Sequence, residues 1–181
     1  MNYCSKCGSE HLKLKIPEGD NRPRFCCDNC GVIHYQNPKM IVGCLPLFEG
    51  KILLCRRAIP PREGYWNLPA GFLENGETIQ EGALREAKEE AGIDGHILRL
   101  HCMYNVPRIN QVYFFFLVEV QTDALELGIE TSEAMWCVPS EIPFHEMAFP
   151  SSTFAIRKYL EHKAAAPGIV HTGTWRMGGE E

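Results

Sequence analysis

In the stretch 71–93, GFLENGETIQEGALREAKEEAGI, the residues Gly71, Glu77, Arg85, Glu86, Glu89 and Glu90 stand at offsets that suit divalent-metal chemistry on a phosphate. Thr78 followed by Glu81 forms a capping box, in which a hydroxyl and a carboxylate satisfy free amides at a helix start, and Gly92 is a natural C-terminal stop. These caps predict a helix of roughly 13 residues. At about 100° per residue, Glu86, Glu89 and Glu90 fall within roughly a third of the circumference, while Leu84, Ala87 and Ala91 point elsewhere, toward a core. Carboxylates that close repel and cost helix stability unless cations offset them, and hard oxygen ligands select Mg²⁺ or Mn²⁺. Taken alone, such a cluster more often marks a solvated helix surface. Gly82, one turn before Glu86, either leaves room for a metal or phosphate or permits close helix packing, and both readings stay open.

The nine cysteines form a second chemical signal through their positions. Cys4-x2-Cys7 and Cys27-x2-Cys30 are each followed by glycine, Gly8 and Gly31, which is the spacing of thiolate pairs on tight knuckles that complete a tetrahedron around Zn²⁺. The plain alternative is a pair of disulfides or buried thiols, which a reducing compartment disfavours. Four thiolates leave no open coordination position, so this metal is expected to be structural, stabilising a module too small to fold on its core alone. Cys26 is expected to be a strand or core residue. Cys44, Cys55, Cys102 and Cys137 lie in apolar stretches and read as core.

Stepping outward from these residues, the chain divides into a ribbon at 1–36, a larger domain at 37–163 and a weakly structured tail at 164–181, with Gln36-Asn37-Pro38 as linker. Candidate strands fall near 40–48, 51–56, 97–104, 111–120 and 133–138, with the acidic helix between the second and third. Pro46 predicts a bulge or an edge in the first. A further helix is expected over Ser151 to His162. Short apolar runs around one buried helix give an α+β class.

Written as G-x5-E-x7-R-E-U-x-E-E-x-G-U, with U apolar, the acidic segment matches a family motif at Gly71, Glu77, Arg85, Glu86, Ala87, Glu89, Glu90, Gly92 and Ile93. The chain thus resembles the Nudix hydrolases, over roughly residues 4–162. That resemblance implies the Nudix fold, an α/β/α sandwich with a mixed sheet, here preceded by the small zinc ribbon. It implies that the Ala70 carbonyl and the carboxylates of Glu86, Glu89 and Glu90 bind catalytic Mg²⁺ or Mn²⁺. Arg85 and Glu77 would pair to brace the loop against the helix. A downstream acid is often recruited. Glu130 and Glu133 are on offer, and Glu133, in an E-A-x-W arrangement like that of the NADH pyrophosphatases, is favoured. Glu89 or Glu133 would also serve as general base, a choice that stays open.

The implied reaction is water attack on the diphosphate of a nucleoside diphosphate derivative, releasing AMP and the other half. A ribbon joined to such a domain resembles both the NADH pyrophosphatases and the plastid-type FAD or ADP-ribose pyrophosphatases. At Tyr104–Phe116, YNVPRINQVYFFF departs from the NADH-branch pattern and lies closer to the FAD or ADP-ribose group. Candidate substrate contacts are Phe72 as a stacking platform, Arg57, Arg62 and Arg108 as phosphate clamps with Arg57 favoured, and Gln111 and Tyr113 in the specificity region. Trp66 reads as structural. Alternatives are a ligand-sensing domain without turnover, which the intact carboxylate set disfavours, and removal of an NAD-type cap from RNA.

Composition bounds the partners. At 181 residues, 45% hydrophobic, with a formal charge of −5 and no membrane-length apolar run, the chain reads as a cytoplasmic enzyme of small nucleotides, with neither membrane nor nucleic acid as expected partner. The first forty residues carry only a slight basic excess. Many relatives dimerise, so a homodimer is a candidate assembly while the oligomeric state stays open.

Overall fold

Strand β4 (Lys39–Phe48) is the element on which the larger sheet is laid, and its run of apolar residues is buried from Ile41 to Pro46. The computed structural model describes residues 1–162 and 168–176, and the backbone of 179–180. Two compact units are formed, Met1–Asn37 and Pro38–Glu181.

In the first unit, strands β1 (Leu12–Lys15), β2 (Arg24–Cys27) and β3 (Ile33–His34) form an antiparallel sheet in that order. Two like-built turns flank it. Gly8 N–H donates to Cys4 O at 2.8 Å and Gly31 N–H to Cys27 O at 2.9 Å, with φ of 73° and 72° at the glycines. That left-handed backbone is the reason glycine follows each cysteine pair. Cys26 is buried within β2, as its expected strand or core role requires.

The second unit contains β5 (Lys51–Arg57), β6 (Trp66–Asn67), β7 (Ala70–Phe72), α1 (Ile79–Ala91), β8 (Gly95–Val106), β9 (Gln111–Val120), β10 (Thr131–Cys137), α2 (Pro150–Glu161), β11 (His171–Arg176) and β12 (Gly179–Glu180). The sheet order is β10-β5-β4-β9-β8-β11-β12, with β6 on β5 and β7 on β4. It is mixed: β4 runs parallel to β9 and β11 parallel to β8, while β5–β10 and β8–β9 are antiparallel. Alternation along the strands sends one set of side chains to each face. Val42, Cys44, Leu53, Phe116 and Val118 pack with Ala83, Ala87 and Ala91 of α1. Leu45, Ile52, Leu54, Trp66, Leu68 and Phe115 pack with Ala155 and Ile156 of α2. The result is the Nudix α/β/α sandwich. Three alanines on the buried face of α1 let the helix approach the sheet closely, which sets the height of its carboxylates. No helix among the described residues is long and apolar enough to cross a membrane.

Two expectations are corrected here. The segment read as a weak tail contains β11, which extends the sheet along β8 and is tied to it by Asn105 Nδ2–H donating to Gly173 O at 3.2 Å. Gly173 is required there, since a Cβ would meet the Phe154 and Tyr104 rings at 2.7 and 2.8 Å. This strand carries little apolar alternation of its own, and the free edge of β8 supplies its pairing. Residues 163–167, where that tail begins, lie outside the described residues. Pro46 produces neither bulge nor edge strand. It sits in β4 between the pairing with β7 at 41–43 and that with β5 at 47–48, where no antiparallel partner needs its amide, and the register with β9 runs through it unbroken.

Candidate active site

Helix α1 begins as its caps dictate: Glu81 N–H donates to Thr78 Oγ1 at 3.2 Å, and Thr78 N–H donates to the Glu81 carboxylate at 2.8 Å. Gly92 closes it in the left-handed conformation at φ 70°. With both ends fixed, β7 passes across the acidic face. Gly71 is pressed against the carboxylate of Glu86, so closely that any Cβ at position 71 would overlap it. Ala70 N–H donates to Glu90 Oε1 at 3.2 Å. Gly82 is resolved in favour of packing, since a Cβ there would lie 2.9 Å from Val42 Cγ2 and 2.7 Å from Glu77 Oε1.

Burial orders the three glutamates. Glu90 lies deepest. Burial pushes its carboxyl up to about 8, with the charges of Glu86 and Glu130 adding to the effect and the Ala70 N–H and Arg57 opposing it. Glu86, its side chain 13% exposed, is also raised by burial, against the pull of Arg85. Glu89, at 59%, faces solvent. A buried carboxylate pair of this kind is stabilised by a cation, and among the described residues that line the cleft no Cys or His offers a softer ligand.

Arg85 holds this arrangement. Its Nε and Nη2 donate to the two carboxylate oxygens of Glu77 at 3.0 and 2.9 Å, Nη1 donates to Glu86 at 2.8 Å and Glu89 at 2.9 Å, and Nη2 also donates to Phe72 O at 3.0 Å. The guanidinium holds Glu77 down at about 2, helped by the Glu74 N–H. The fork geometry of arginine is what allows one side chain to tie loop, β7 and helix together.

The glutamates line a cleft of about 780 Å³ whose walls also include the apolar residues Ile41, Ile59, Pro60, Ile109, Ile129 and Phe149. Of the expected substrate contacts, Arg57, Phe72, Gln111 and Tyr113 line this cleft. Arg57 is anchored by Nε donating to Pro61 O at 2.8 Å and by Phe149, whose ring centre lies 5.2 Å away. Phe72 is 47% exposed, with Lys39 Nζ 4.9 Å from its ring centre. Tyr113 donates its hydroxyl to Gln111 Oε1 at 2.9 Å. Arg108 belongs to the turn Pro107–Ile109 but does not line the cleft, and its neighbour Ile109 does. Arg62 lies over Tyr65 outside the lining, and Trp66 is buried in the core. The two downstream acids are separated: Glu130 lines the cleft, whereas Glu133 pairs with Arg56 at 3.1 Å and does not. Asn67, Ile109, Ile129 and Phe149 escaped sequence reasoning, since each reaches the cleft through loop or strand-end placement that no spacing encodes.

In the ribbon, the sulfur atoms of Cys4, Cys7, Cys27 and Cys30 all lie within 4.8 Å of one another, with Cys4–Cys30 and Cys7–Cys27 at 3.7 Å. A tetrahedron with Zn–S bonds of about 2.3 Å has sulfur edges of about 3.8 Å. The four residues therefore fit a structural zinc.

Comparison with known proteins agrees with this geometry. The NUDIX domain matches residues 37–157, and the Nudix N-terminal zinc ribbon matches residues 2–36. The chain is 31% identical over 133 residues to an ADP-ribose pyrophosphatase of Methanocaldococcus jannaschii, covering 71% of this chain and 77% of that one. It is 31% identical over 149 residues to the NAD-capped RNA hydrolase NudC of Vibrio atlanticus, covering 79% of this chain but only 51% of the relative's length. Among solved structures, a NUDIX hydrolase from Nitrosomonas europaea superposes with a TM-score of 0.89 at 43% identity, covering 97% of this chain and 100% of that one. An α/β/α hydrolase is the class to which the fold and the domain match point. The chain belongs to the Nudix hydrolase family and carries the ribbon module associated with it.

Proposed function

We propose that this protein is a Mg²⁺- or Mn²⁺-dependent pyrophosphohydrolase that cleaves the diphosphate of a nucleoside diphosphate derivative of the ADP-ribose, FAD or NADH class, releasing AMP and the other half. The observation that carries this reading is the convergence of Glu86, Glu89, Glu90 and Glu130 on one cleft, with Gly71 leaving room for Glu86. The Ala70 carbonyl and the carboxylates of Glu86, Glu89 and Glu90 would hold the catalytic metal. Glu130 is better placed than Glu133 to join them, because it shares the cleft. When bound, the metal lowers the pKa of the attacking water and neutralises phosphate oxygens. Arg85 and Glu77 keep the carboxylates in position. Glu89, more exposed than Glu86 and Glu90, is available to accept the water's proton. Arg57 faces the phosphates, and Phe72 offers a face to a flat ring.

Cys4, Cys7, Cys27 and Cys30 would bind structural Zn²⁺ under the same reading, with the enzyme placed in the cytoplasm. Relatives similar to this chain are named for both ADP-ribose and NAD-capped RNA, so cap removal, which breaks the same bond, is the second reading. The test is incubation with Mg²⁺ or Mn²⁺ and NADH, NAD, FAD, ADP-ribose, CoA, dinucleoside polyphosphates or NAD-capped RNA, with products identified by mass. AMP release from a small substrate, lost in Glu90→Gln with the fold intact, is expected. Turnover by Glu90→Gln near the wild-type rate would sink the assignment.

A further inference from the structure

Two carboxamides line the cleft, and in each the oxygen is already engaged by a hydroxyl. Asn67, only 3% exposed, accepts at Oδ1 from the buried Ser152 Oγ–H at 2.6 Å. Gln111 accepts at Oε1 from the Tyr113 hydroxyl at 2.9 Å. A carboxamide whose oxygen is engaged keeps two N–H donors beside one remaining acceptor lone pair. Among the described residues no protein atom accepts from Asn67 Nδ2, this atom is not among the sealed polar atoms, and Asn67 lines the cleft.

The groups that hold these carboxamides come from a different part of the fold than the glutamates do. Ser152 lies on α2, and Tyr113 packs in the core layer on the α2 face of the sheet. The glutamates come from α1, on the opposite face. The cleft lining includes Ile41, Ile59, Phe149, Ile109 and Ile129, and the last two, at 53% and 95% exposure, form surfaces that water covers poorly. Such walls suit a flat heterocycle rather than a charged group. A buried donor within them costs affinity whenever a ligand fails to accept from it.

We propose that Asn67, with its carboxamide oriented by Ser152, is a specificity-determining residue that donates to an acceptor nitrogen on the ring edge of the substrate's nucleobase, with Gln111 as a second donor in the same cleft. This rests on the pyrophosphatase reading. The carboxamide acts on binding and alignment and takes no part in bond cleavage, so its loss is expected in KM and in discrimination between rings rather than in kcat.

The experiment compares ADP-ribose with its 1-deaza, 3-deaza and 7-deaza adenine analogues, each lacking one ring acceptor, in wild type, Asn67→Leu and Ser152→Ala. Wild type is expected to lose about tenfold in kcat/KM on one analogue. Asn67→Leu is expected to lose a similar factor on ADP-ribose itself, mainly through KM, and to show no further loss on that analogue. Ser152→Ala keeps the amide but frees its rotation, so it should show the same pattern with a smaller loss, and it guards against a folding defect in the leucine variant. An equal loss by Asn67→Leu on every analogue would place the residue on the phosphates and overturn the proposal, as would undiminished discrimination in both variants. Wild-type protein inert toward the whole nucleotide panel would instead overturn the underlying pyrophosphatase reading, and this proposal with it.

Discussion

Arg85→Lys isolates the brace from the charge it carries. Arginine at this position makes five hydrogen bonds, two of them to Glu77. Lysine has three donors on a single point and cannot bridge both oxygens of Glu77 while reaching Glu86, Glu89 and the Phe72 carbonyl. At least two bonds are lost. Bonds to charged groups contribute about 1.5–3 kcal/mol each when well buried. Arg85 retains 29% exposure, and solvent screening reduces the sum to about 1–2 kcal/mol. That corresponds to a fall of about 3–6 °C in Tm for a domain of this size. Activity should suffer more than stability, because the carboxylates lose their fixed spacing, and loss of such a supporting contact typically costs about 10–100-fold. The assay is kcat/KM on ADP-ribose as a function of Mg²⁺ concentration, alongside a thermal melt. Excess metal should recover part of the rate. A variant within about twofold of wild type at every Mg²⁺ concentration would refute the positioning role, whatever its Tm.

Glu130→Gln is expected to lower turnover by at least about tenfold and Glu133→Gln by less than about threefold, since only the former shares the cleft, and steady-state rates of the two variants would show it. The reverse order would restore Glu133 as the downstream ligand. Burial pushes His101 down to about 4 from an ordinary value of 6.5, against the hydrogen bond to Ala155 O and with Arg99, His171 and His162 adding positive charge nearby. A depressed histidine means the unfolded chain binds more protons, so its stabilising contribution is complete above pH 6.5 and is lost as pH falls toward 4. The loss by pH 4.5 is about 2–3 kcal/mol. Thermal melts should therefore fall more steeply on acidification in wild type than in His101→Gln, and parallel curves would count against it. Removal of zinc by a strong chelator, or Cys4→Ser, is expected to unfold residues 1–37 while leaving the NUDIX domain melt nearly unchanged, as followed by amide exchange. Native-like protection of that unit without metal would contradict a zinc-held ribbon.

The acidic helix was legible in the sequence because its signals are local: a capping box, a glycine stop and a face with Ala87 and Ala91 fix its ends and its rotation without help from the rest of the chain. The cysteine knuckles were legible for the same reason. What escaped depends on partners distant in sequence. Strand β11 exists because β8 offers an edge. Asn67 reaches the cleft because β6, two residues long, lies on β5 and is met by Ser152 from far downstream. The E-A-x-W resemblance points to Glu133 but carries no information on which acid faces a cleft, and Glu130, immediately before β10, is the one in the lining.

The parallel pairing of β4 with β9 joins residues 39–47 to residues 111–119, and every acid of the α1 motif lies in the intervening chain. The acidic segment is thus part of the loop whose closure the pairing requires, and closing a loop of that length is among the slow events of folding. Helix α1 can form early from its own caps, yet β7 reaches Glu86 and Glu90 only once β4 is in place to receive it. On refolding, helicity should return first and catalysis last.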